Sequence, residues 1–489
     1  MNFVATPEYN QPVAATFHFE QTIPFEPSRA EEILRSIPAA PGVFALRGAK
    51  QSDEPYLTRT ADLRRRMRRL LDPPESQSKR LNLRDRVARI DYTVTGSDFE
   101  SSLLLYEATA SLFGLPEARR RLKLHTPYFL RFTAENSFPR VYATNRLSKR
   151  GLAQMYGPFP SRAVAERYCD AVLDLFKLRR CYEDLAPYPE HPGCVYQEMK
   201  KCLAPCNLAC TPTEYAAEAE AVKAFFDTRG ESLLMTVAAD REVAAEAMEF
   251  EQAAALHERY QKVKAAAALA DELIQPVPKL RAVVVQRASR QHTTNADSDS
   301  DAGDLQEAAI FLLESGCLLG PERLSTLGVR AVKEQTSVGS SLFAQPLMLQ
   351  AVPLEGAPVE AVNSPEERAA ETLNRLEAKS GVPSDMALLS DHLSLLRRWY
   401  YRPEKQRAGE VFFPYIDGGW PVRRILRGAA RMALGDPAPM AETDRKAAKG
   451  AKVKILHEGR PDVERVVEVF ERPASEAVQA FTSRKTRKS

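Results

Sequence analysis

Residues 178–206 read LRRCYEDLAPYPEHPGCVYQEMKKCLAPC and hold four of the seven cysteines of this 489-residue chain. The four follow the pattern C-x12-C-x7-C-x3-C and are Cys181, Cys194, Cys202 and Cys206. Four thiolates without a histidine suit either a [4Fe–4S] cluster or structural Zn²⁺. The spacing is wider than the paired C-x2-C knuckles of zinc ribbons, so it favours the iron–sulfur cluster over zinc.

The other cysteines and the amino terminus bear on the compartment. The N-terminus, MNFVATPEYNQPVAATFHFE, has no basic segment followed by an apolar stretch, and the chain has no apolar run of about eighteen residues. We therefore expect a cytoplasmic protein with no membrane segment, in which clustered cysteines indicate metal binding and not disulfides. Cys169 and Cys317 are interpreted as buried core thiols, and Cys210 has no assigned role.

Composition indicates a globular chain of several domains, since 44% of residues are hydrophobic and 27% are charged. The net charge is only +3, but positive charge is concentrated between Arg59 and Arg89. Such a concentration is typical of a surface that faces phosphates, although a solvated helix face would look the same. The arginines that would make this contact with DNA are Arg64, Arg65, Arg68 and Arg69.

Hydrophobic periodicity predicts an α+β multidomain protein. Strands are expected at 41–46, 54–58, 88–95, 281–286 and 307–315, and helices at 61–71, 100–113, 246–266, 365–379 and 390–401. The predicted divisions are an N-terminal extension (1–36), a small α/β/α domain (37–125), a Cys-rich helical module (126–232), a helical hairpin (233–272), a C-terminal α/β domain of unclear fold (278–435) and a charged tail (436–489).

Two charged residues fall on apolar helix faces. Arg66 lies beside the stripe formed by Leu63, Met67 and Leu70, and Glu107 shares a face with Leu103. A charge in such a position needs a partner. One interpretation is a structural Arg66–Glu107 ion pair. The other is a metal-binding glutamate together with an arginine that holds a phosphate.

The order PGVF (41–44), YLTRTADLRRRMRRLL (56–71) and FESSLLLYEA (99–108) resembles the GIY-YIG nuclease domain of the UvrC excinuclease family. The segments YGPFPS (156–161) and 178–206 resemble the same family, whose equivalent cysteines hold [4Fe–4S]. The resemblance implies a site made of Tyr56, Arg66, Glu107 and Arg59, with Arg59 replacing a family lysine. It also implies that Glu107 binds Mg²⁺ or Mn²⁺, a metal that polarises the phosphate, while Arg66 balances its charge.

Three positions of this region depart from the family pattern. Phe44 replaces the first family tyrosine, Thr58 replaces the glycine of YIG, and Arg119 replaces an asparagine. Two interpretations therefore stay open. In one the domain cleaves DNA, and in the other it has lost cleavage and the chain only binds DNA or UvrB.

The stretch EAMEFEQAAALHERYQKVKAA (246–266) carries an apolar seam that includes Phe250, Leu256 and Tyr260. Its string MEFEQAA resembles the UVR motif of UvrC, which pairs with a hairpin on the helicase UvrB. The resemblance covers residues 37–272. Beyond it, RAVVVQ (281–286) has no aspartate and no tandem hairpins follow. The RNase H-like nuclease and the helix-hairpin-helix repeats of the family are therefore expected to be absent, and residues 278–435 are a degenerate relic or a docking domain.

These features together predict a UvrC-like protein of nucleotide excision repair that binds double-stranded DNA. In one interpretation the chain is an endonuclease that nicks one strand with Mg²⁺ or Mn²⁺. In the alternative it is a nuclease-inactive accessory protein that binds DNA or UvrB and carries a structural or redox [4Fe–4S] or Zn²⁺ module.

Overall fold

The computed structural model describes residues 17–50, 52–73, 81–183, 185–289, 307–329, 364–380, 385–403 and 406–434. All of these belong to one compact unit of the chain, which ends at Asp436. The predicted charged tail and the first sixteen residues lie outside this description. Within it the fold is α+β, with helices packed on three four-stranded antiparallel sheets.

The first sheet has the strand order β1-β4-β2-β3. Its region comprises β1 (Gln21–Pro24), α1 (Ala30–Ser36), β2 (Gly42–Arg47), β3 (Tyr56–Thr60), α2 (Leu63–Leu71), β4 (Arg89–Val94), α3 (Asp98–Phe113) and α4 (Leu115–Leu122). Helix α2 begins where the side chain of Asp62 accepts a hydrogen bond of 2.8 Å from the Arg65 amide. The predicted strands and helices of this region are confirmed, with boundaries shifted by one or two residues.

The N-terminal boundary differs from the prediction. The sequence predicts an extension over residues 1–36, but β1 pairs with β4 along the edge of the sheet, with Ile23 opposite Ile90. Helix α1 buries Leu34 in the same core as Phe44. The segment QTIP contains a single isoleucine and no alternation, so its assignment to the sheet depends on the neighbouring strand and has no local signal.

The second region carries the cysteines and differs from the helical module predicted for residues 126–232, because it contains a sheet of order β6-β5-β7-β8. It comprises β5 (Tyr128–Phe132), β6 (Val141–Thr144), β7 (Met155–Phe159), α5 (Arg162–Leu173), α6 (Val195–Glu198), α7 (Pro212–Asp227), α8 (Glu231–Glu246), α9 (Phe250–Ala267) and β8 (Gln275–Pro276). Helices α5, α7 and α9 share one core with the sheet, and Cys169 is buried there as predicted. Helix α7 starts with a capping box made by Thr211 and Glu214.

The third region has the sheet order β11-β10-β9-β12. It comprises β9 (Arg281–Arg287), β10 (Glu307–Glu314), β11 (Cys317–Ser325), α10 (Pro365–Ala378), α11 (Met386–Tyr400), β12 (Glu410–Phe412) and α12 (Val422–Leu434). Val283 and Val285 pack towards α10 and α12, whereas Val284 packs in the core that contains α11. Both faces of β9 are covered, which explains its continuous apolar run. The predicted burial of Cys317 is confirmed.

Helix α3 joins the first region to the third. Phe99, Leu103 and Tyr106 lie in the same hydrophobic core as the α11 face of the third sheet. The ring of Phe99 meets that of Phe311 edge-on, with centroids 5.1 Å apart. The regions predicted as separate domains at 37–125 and 278–435 therefore share buried contacts. Among the described helices, none combines the length and the apolar character needed to cross a membrane.

Candidate functional site

Tyr56 and Arg66, two of the predicted site residues, are brought together by the turn from β3 into α2. The guanidinium of Arg66 donates a hydrogen bond of 3.0 Å to the Tyr56 hydroxyl. Arg66 is half-buried and lies beside the buried side chains of Leu63 and Met67, as its position on the predicted helix indicates. The contact places a guanidinium N–H and a phenol hydroxyl side by side. The pair is therefore suited to hold a phosphate or to hand over a proton.

Glu107 lies on α3, is half-buried, and makes no hydrogen bond or ion pair with any described residue. Burial raises the pKa of its carboxyl to about 7. The Arg66–Glu107 ion pair is not formed within the described ranges, because Arg66 bonds Tyr56. A partly buried carboxylate with no partner is costly for stability. Such a group fits an oxygen ligand for Mg²⁺ or Mn²⁺, although no described trio of His, Cys, Asp or Glu side chains is arranged to hold a metal ion.

Arg59 is tied to the start of α3. Its guanidinium bonds both the carboxylate and the carbonyl oxygen of Asp98, and Arg402 donates to the same carboxylate at 2.6 Å. The side chain of Arg59 is about one third exposed. Arg59 is thus ion-paired with Asp98, a residue that the sequence analysis did not single out.

The three positions that depart from the family pattern have different surroundings. Phe44 is fully buried, and its ring centroid lies 6.2 Å from that of Tyr56. Thr58 is half-buried and stands opposite Phe44 in the β2–β3 register. Arg119 reaches into the third region, where it donates to the Asp391 carboxylate at 2.7 Å.

Asp391 is almost completely buried and also accepts a hydrogen bond of 2.9 Å from the Tyr106 hydroxyl. Arg119 therefore neutralises a buried aspartate of α11, which gives the arginine a structural task. Sequence reasoning missed this network because its members are separated by 272 and 285 positions. The available signal was an aspartate on the otherwise apolar helix SDHLSLLRRWYY.

The four arginines proposed for DNA contact are not equivalent. Arg65, Arg68 and Arg69 are exposed on α2, and none forms an ion pair with a described residue. Arg64 is half-buried, and its guanidinium donates to the Ile37 carbonyl at 2.6 Å. Three of the four side chains can therefore reach a ligand without breaking a contact.

The four cysteines of the C-x12-C-x7-C-x3-C pattern converge on one small cavity. Cys181, Cys194, Cys202 and Cys206 all line it, together with the cationic side chains of Arg179 and Arg180. The convergence depends on the turn after Cys202, where Ala204 adopts a left-handed backbone conformation with φ of 54°. The pattern thus brings the four side chains of one loop to a shared cavity, although among the described residues their sulfurs are not arranged as a metal-ligand group.

Donors surround the cysteine cavity. The backbone amide of Ala204 points at the Cys202 sulfur at 3.3 Å, and Arg179, itself buried, lies 3.6 Å from the Cys181 sulfur. Burial and the neighbouring sulfurs raise the pKa of Cys202 to about 11. The pKa of Cys206 is shifted the same way, mainly by burial. Cationic and N–H donors stabilise sulfur-borne negative charge, so they suit thiolates bound to a metal or cluster.

Helices α8 and α9 form an antiparallel hairpin with an apolar tip. Phe250 and Met248 are 72% and 74% exposed, while Leu256 and Tyr260 are half-buried. Arg241 of α8 lies over the ring of Tyr260, 5.6 Å from its centroid. Of the three predicted partner-binding residues, only Phe250 is therefore widely accessible, and the other two also stabilise the hairpin.

Comparison with known proteins places this chain beside excinucleases. Residues 128–225 match the UvrC/Cho excinuclease middle domain. UvrABC system protein C of Carboxydothermus hydrogenoformans is 27% identical over 59% of this chain and 44% of its own length. The protein of the same name from Haloarcula marismortui is 31% identical over 47% of the chain and 39% of its own length.

The chain thus spans less than half the length of these relatives. No solved structure matches it. The chain is therefore similar to UvrABC system protein C over about half its length, and its residues 128–225 are similar to the UvrC/Cho excinuclease middle domain.

Proposed function

We propose that this chain is a DNA-repair protein of nucleotide excision repair that binds duplex DNA and nicks one strand. The similarity to UvrABC system protein C supports the pathway. The main support for the nicking activity is the geometry of the first region, where Arg66 is hydrogen-bonded to Tyr56 and Glu107 has no partner among the described residues.

Each of these side chains has a task in phosphodiester cleavage. Glu107 would hold Mg²⁺ or Mn²⁺, which supplies charge neutralisation at the leaving oxygen. Arg66 binds a phosphate oxygen and stabilises charge that develops there. Tyr56, whose hydroxyl accepts a hydrogen bond from Arg66, is the group proposed to orient the attacking water and take up its proton. The cation that Glu107 would hold and the guanidinium of Arg66 would thereby place two positive charges against the reacting phosphate.

A nicking assay on damaged supercoiled duplex, with UvrB present, tests the proposal. We expect slow nicking that depends on Mg²⁺ or Mn²⁺, is abolished by Glu107→Gln and is raised by Phe44→Tyr, which restores the hydroxyl beside Tyr56. Loss of an acid–base group costs roughly 10²–10⁴-fold, so weak activity without that hydroxyl is expected. Glu272→Gln, a change at an exposed carboxylate, is the matched control. Equal nicking by wild type and Glu107→Gln would rule out this site.

A second candidate is a nuclease-inactive protein that binds DNA or UvrB. The burial of Phe44 and the use of Arg119 to neutralise Asp391 favour it, because both positions serve packing in this structure. Absence of nicking by wild type and by Phe44→Tyr, with DNA binding intact, would support this candidate.

We further propose that Cys181, Cys194, Cys202 and Cys206 hold a [4Fe–4S] cluster, with Zn²⁺ as the alternative. Support comes from the shared cavity of these four residues and the donors around it. A bound cluster or ion would cross-link the loop 178–206, so its role is structural or redox-sensing. Residues of α6 and the turn at Ala204 would hold the ligands in place.

We also propose that the α8–α9 hairpin binds a matching hairpin of UvrB. The exposure of Phe250 and Met248 supports the proposal, since a large apolar side chain at a hairpin tip indicates an interaction site. Phe250 would be the anchor, with Leu256 and Tyr260 completing the apolar seam.

A further inference from the structure

A cationic cavity of about 340 Å³ lies between the first region and helix α11. Its charged lining consists of Arg59, Arg121, Arg398, Arg402 and Asp98, so four guanidinium groups face one carboxylate. Cavities with this lining are suited to an anion, because arginine forks bind phosphate oxygens in pairs.

The internal ion pairs do not cancel this charge. Arg121 is neutralised by Glu54 at 2.5 Å and Glu117 at 2.6 Å. Arg59 and Arg402, in contrast, share the single carboxylate of Asp98. The side chains of both arginines are about one third exposed, which leaves donor groups for a ligand.

Arg398 adds a charge that no described carboxylate balances. Its guanidinium donates to the Leu122 carbonyl at 2.9 Å and to the Lys123 carbonyl. Those carbonyls belong to the C-terminal end of α4, where the helix dipole is negative. This contact orients the guanidinium at the cavity but offsets only part of its charge.

The cavity is also close to the candidate nick site. Leu103 and Ser102 of α3 contribute to its wall, and Glu107 follows Leu103 by four residues, about 6 Å along the helix axis. A nucleic-acid strand whose reacting phosphate lies at Glu107 would therefore carry a neighbouring phosphate towards the cavity.

We propose that this cavity binds a backbone phosphate of the DNA strand held at Glu107, and that α11 thereby forms part of the DNA-binding surface. The inference rests on the proposed function for the identity of the strand. It assigns a binding role to Arg402 and Arg398, which belong to the third region and lie outside the part that matches the excinuclease middle domain.

The test is fluorescence anisotropy of a short labelled duplex with the full chain carrying Glu107→Gln, so that the DNA stays intact. Arg402→Gln should weaken binding on the order of tenfold and lower the salt slope by about one. Asp98→Asn, which removes the only carboxylate in the lining, should tighten binding several-fold. Arg35→Gln, at an exposed ion-paired arginine on α1, is the matched control and should change neither the duplex affinity nor its salt dependence. Arg398 is left intact because it holds α4.

Thermal unfolding of each variant separates a lost contact from a lost fold. Opposite effects of Arg402→Gln and Asp98→Asn in folded protein support the cavity, whether or not wild type nicks DNA. If both substitutions change duplex affinity as expected but wild type never nicks DNA, only the nuclease proposal is rejected. If duplex binding is unchanged in both variants, or if only inorganic phosphate responds, measured as protection against thermal unfolding, the cavity is not a DNA site.

Discussion

Single side chains decide how the cysteine cavity and the nuclease-like region can work. In the cavity, each of the four sulfurs comes from a different position of one irregular loop. The loop contains little regular structure apart from α6 and a short 3-10 helix at Pro205–Asn207, and backbone hydrogen bonds such as that from the Tyr188 amide to the Cys206 carbonyl hold parts of it together. Ligation by all four cysteines would add a further constraint, in the way that structural metal sites contribute directly to folding.

Replacing one cysteine should therefore release the cofactor and loosen the loop. Anaerobically purified wild-type protein is expected to be brown, with broad absorbance near roughly 400 nm and bound iron. Cys202→Ala should lose both iron and solubility. Cys210→Ala, a change at a half-buried cysteine outside the pattern, is the control and should keep its iron. A colourless wild type with stoichiometric zinc would replace the cluster assignment by zinc.

At the scale of elements, two exposed helices carry the surfaces that would meet partners. Helix α2 presents arginines, and the α8–α9 hairpin presents apolar residues. Each helix keeps a second, buried face that anchors it, such as Met67 on α2 and Val263 on α9. Changes on the outer face can therefore be made without disturbing the fold.

The arginines of α2 should contribute to DNA binding without reading sequence. Replacing Arg65, Arg68 and Arg69 together by Ser should weaken binding to all duplexes equally, because each guanidinium displaces phosphate counterions. The slope of log affinity against log salt should fall by about three, measured by anisotropy at several salt concentrations. Arg64 stays unchanged because it caps the Ile37 carbonyl. An unaltered slope would mean that the run is a solvated helix face.

The hairpin should bind UvrB through Phe250. Because this side chain is 72% exposed, Phe250→Ala is expected to leave thermal stability unchanged. Truncating a buried interface anchor typically costs on the order of 2 kcal/mol or more, which is roughly a 30-fold loss of affinity in calorimetry. Val263→Ala, at a buried position, should instead lower stability. Normal UvrB binding by Phe250→Ala would contradict the proposed interface.

The local hydrophobic pattern predicted the helices and strands of the first region well. Its failures all concern contacts between segments that are distant in sequence. The stripe of Leu63, Met67 and Leu70 identified α2 and the odd position of Arg66 because helical periodicity is local. The Arg66–Glu107 ion pair of one interpretation is not formed among the described residues, because helical spacing does not show that the turn from β3 brings the Tyr56 hydroxyl to Arg66. The Arg119–Asp391 contact and the pairing of β1 with β4 join distant segments, and no local pattern records them.

At the scale of the whole molecule, the third region is fixed to the first by a buried polar network as well as by apolar packing. Asp391 and His392, adjacent on α11, are both buried. His392 accepts a hydrogen bond of 3.1 Å from the Leu318 amide of β11, and the ring of Tyr106 lies edge-on at 5.7 Å. Global stability should therefore depend on the protonation of this histidine.

Burial lowers the pKa of His392 to about 4, below the ordinary value of 6.5. Between these values the unfolded chain binds a proton at this histidine that the folded chain does not, so the contribution of His392 to the free energy of unfolding falls as the pH falls. From pH 7 to pH 5 this contribution should fall by about 2 kcal/mol.

Urea unfolding of wild type and His392→Gln measures this effect, since glutamine can still accept from Leu318. Glu100 and Glu107, whose pKa values burial raises to about 7, act in the opposite direction in both proteins and cancel in the comparison. We expect the free energy of unfolding of wild type, relative to that of His392→Gln, to fall by about 2 kcal/mol between pH 7 and pH 5. The same pH dependence in both proteins would contradict the assignment.

The Arg119–Asp391 contact also restricts which residues positions 119 and 391 can hold. Asparagine at position 119, the residue that the sequence resemblance implies there, would leave a buried aspartate without a cation, which typically costs about 3–5 kcal/mol, a large part of a protein's stability. Changing Asp391 first would leave Arg119 without its carboxylate. The pair is thus entrenched: exchanging it for uncharged residues one substitution at a time passes through a destabilised intermediate.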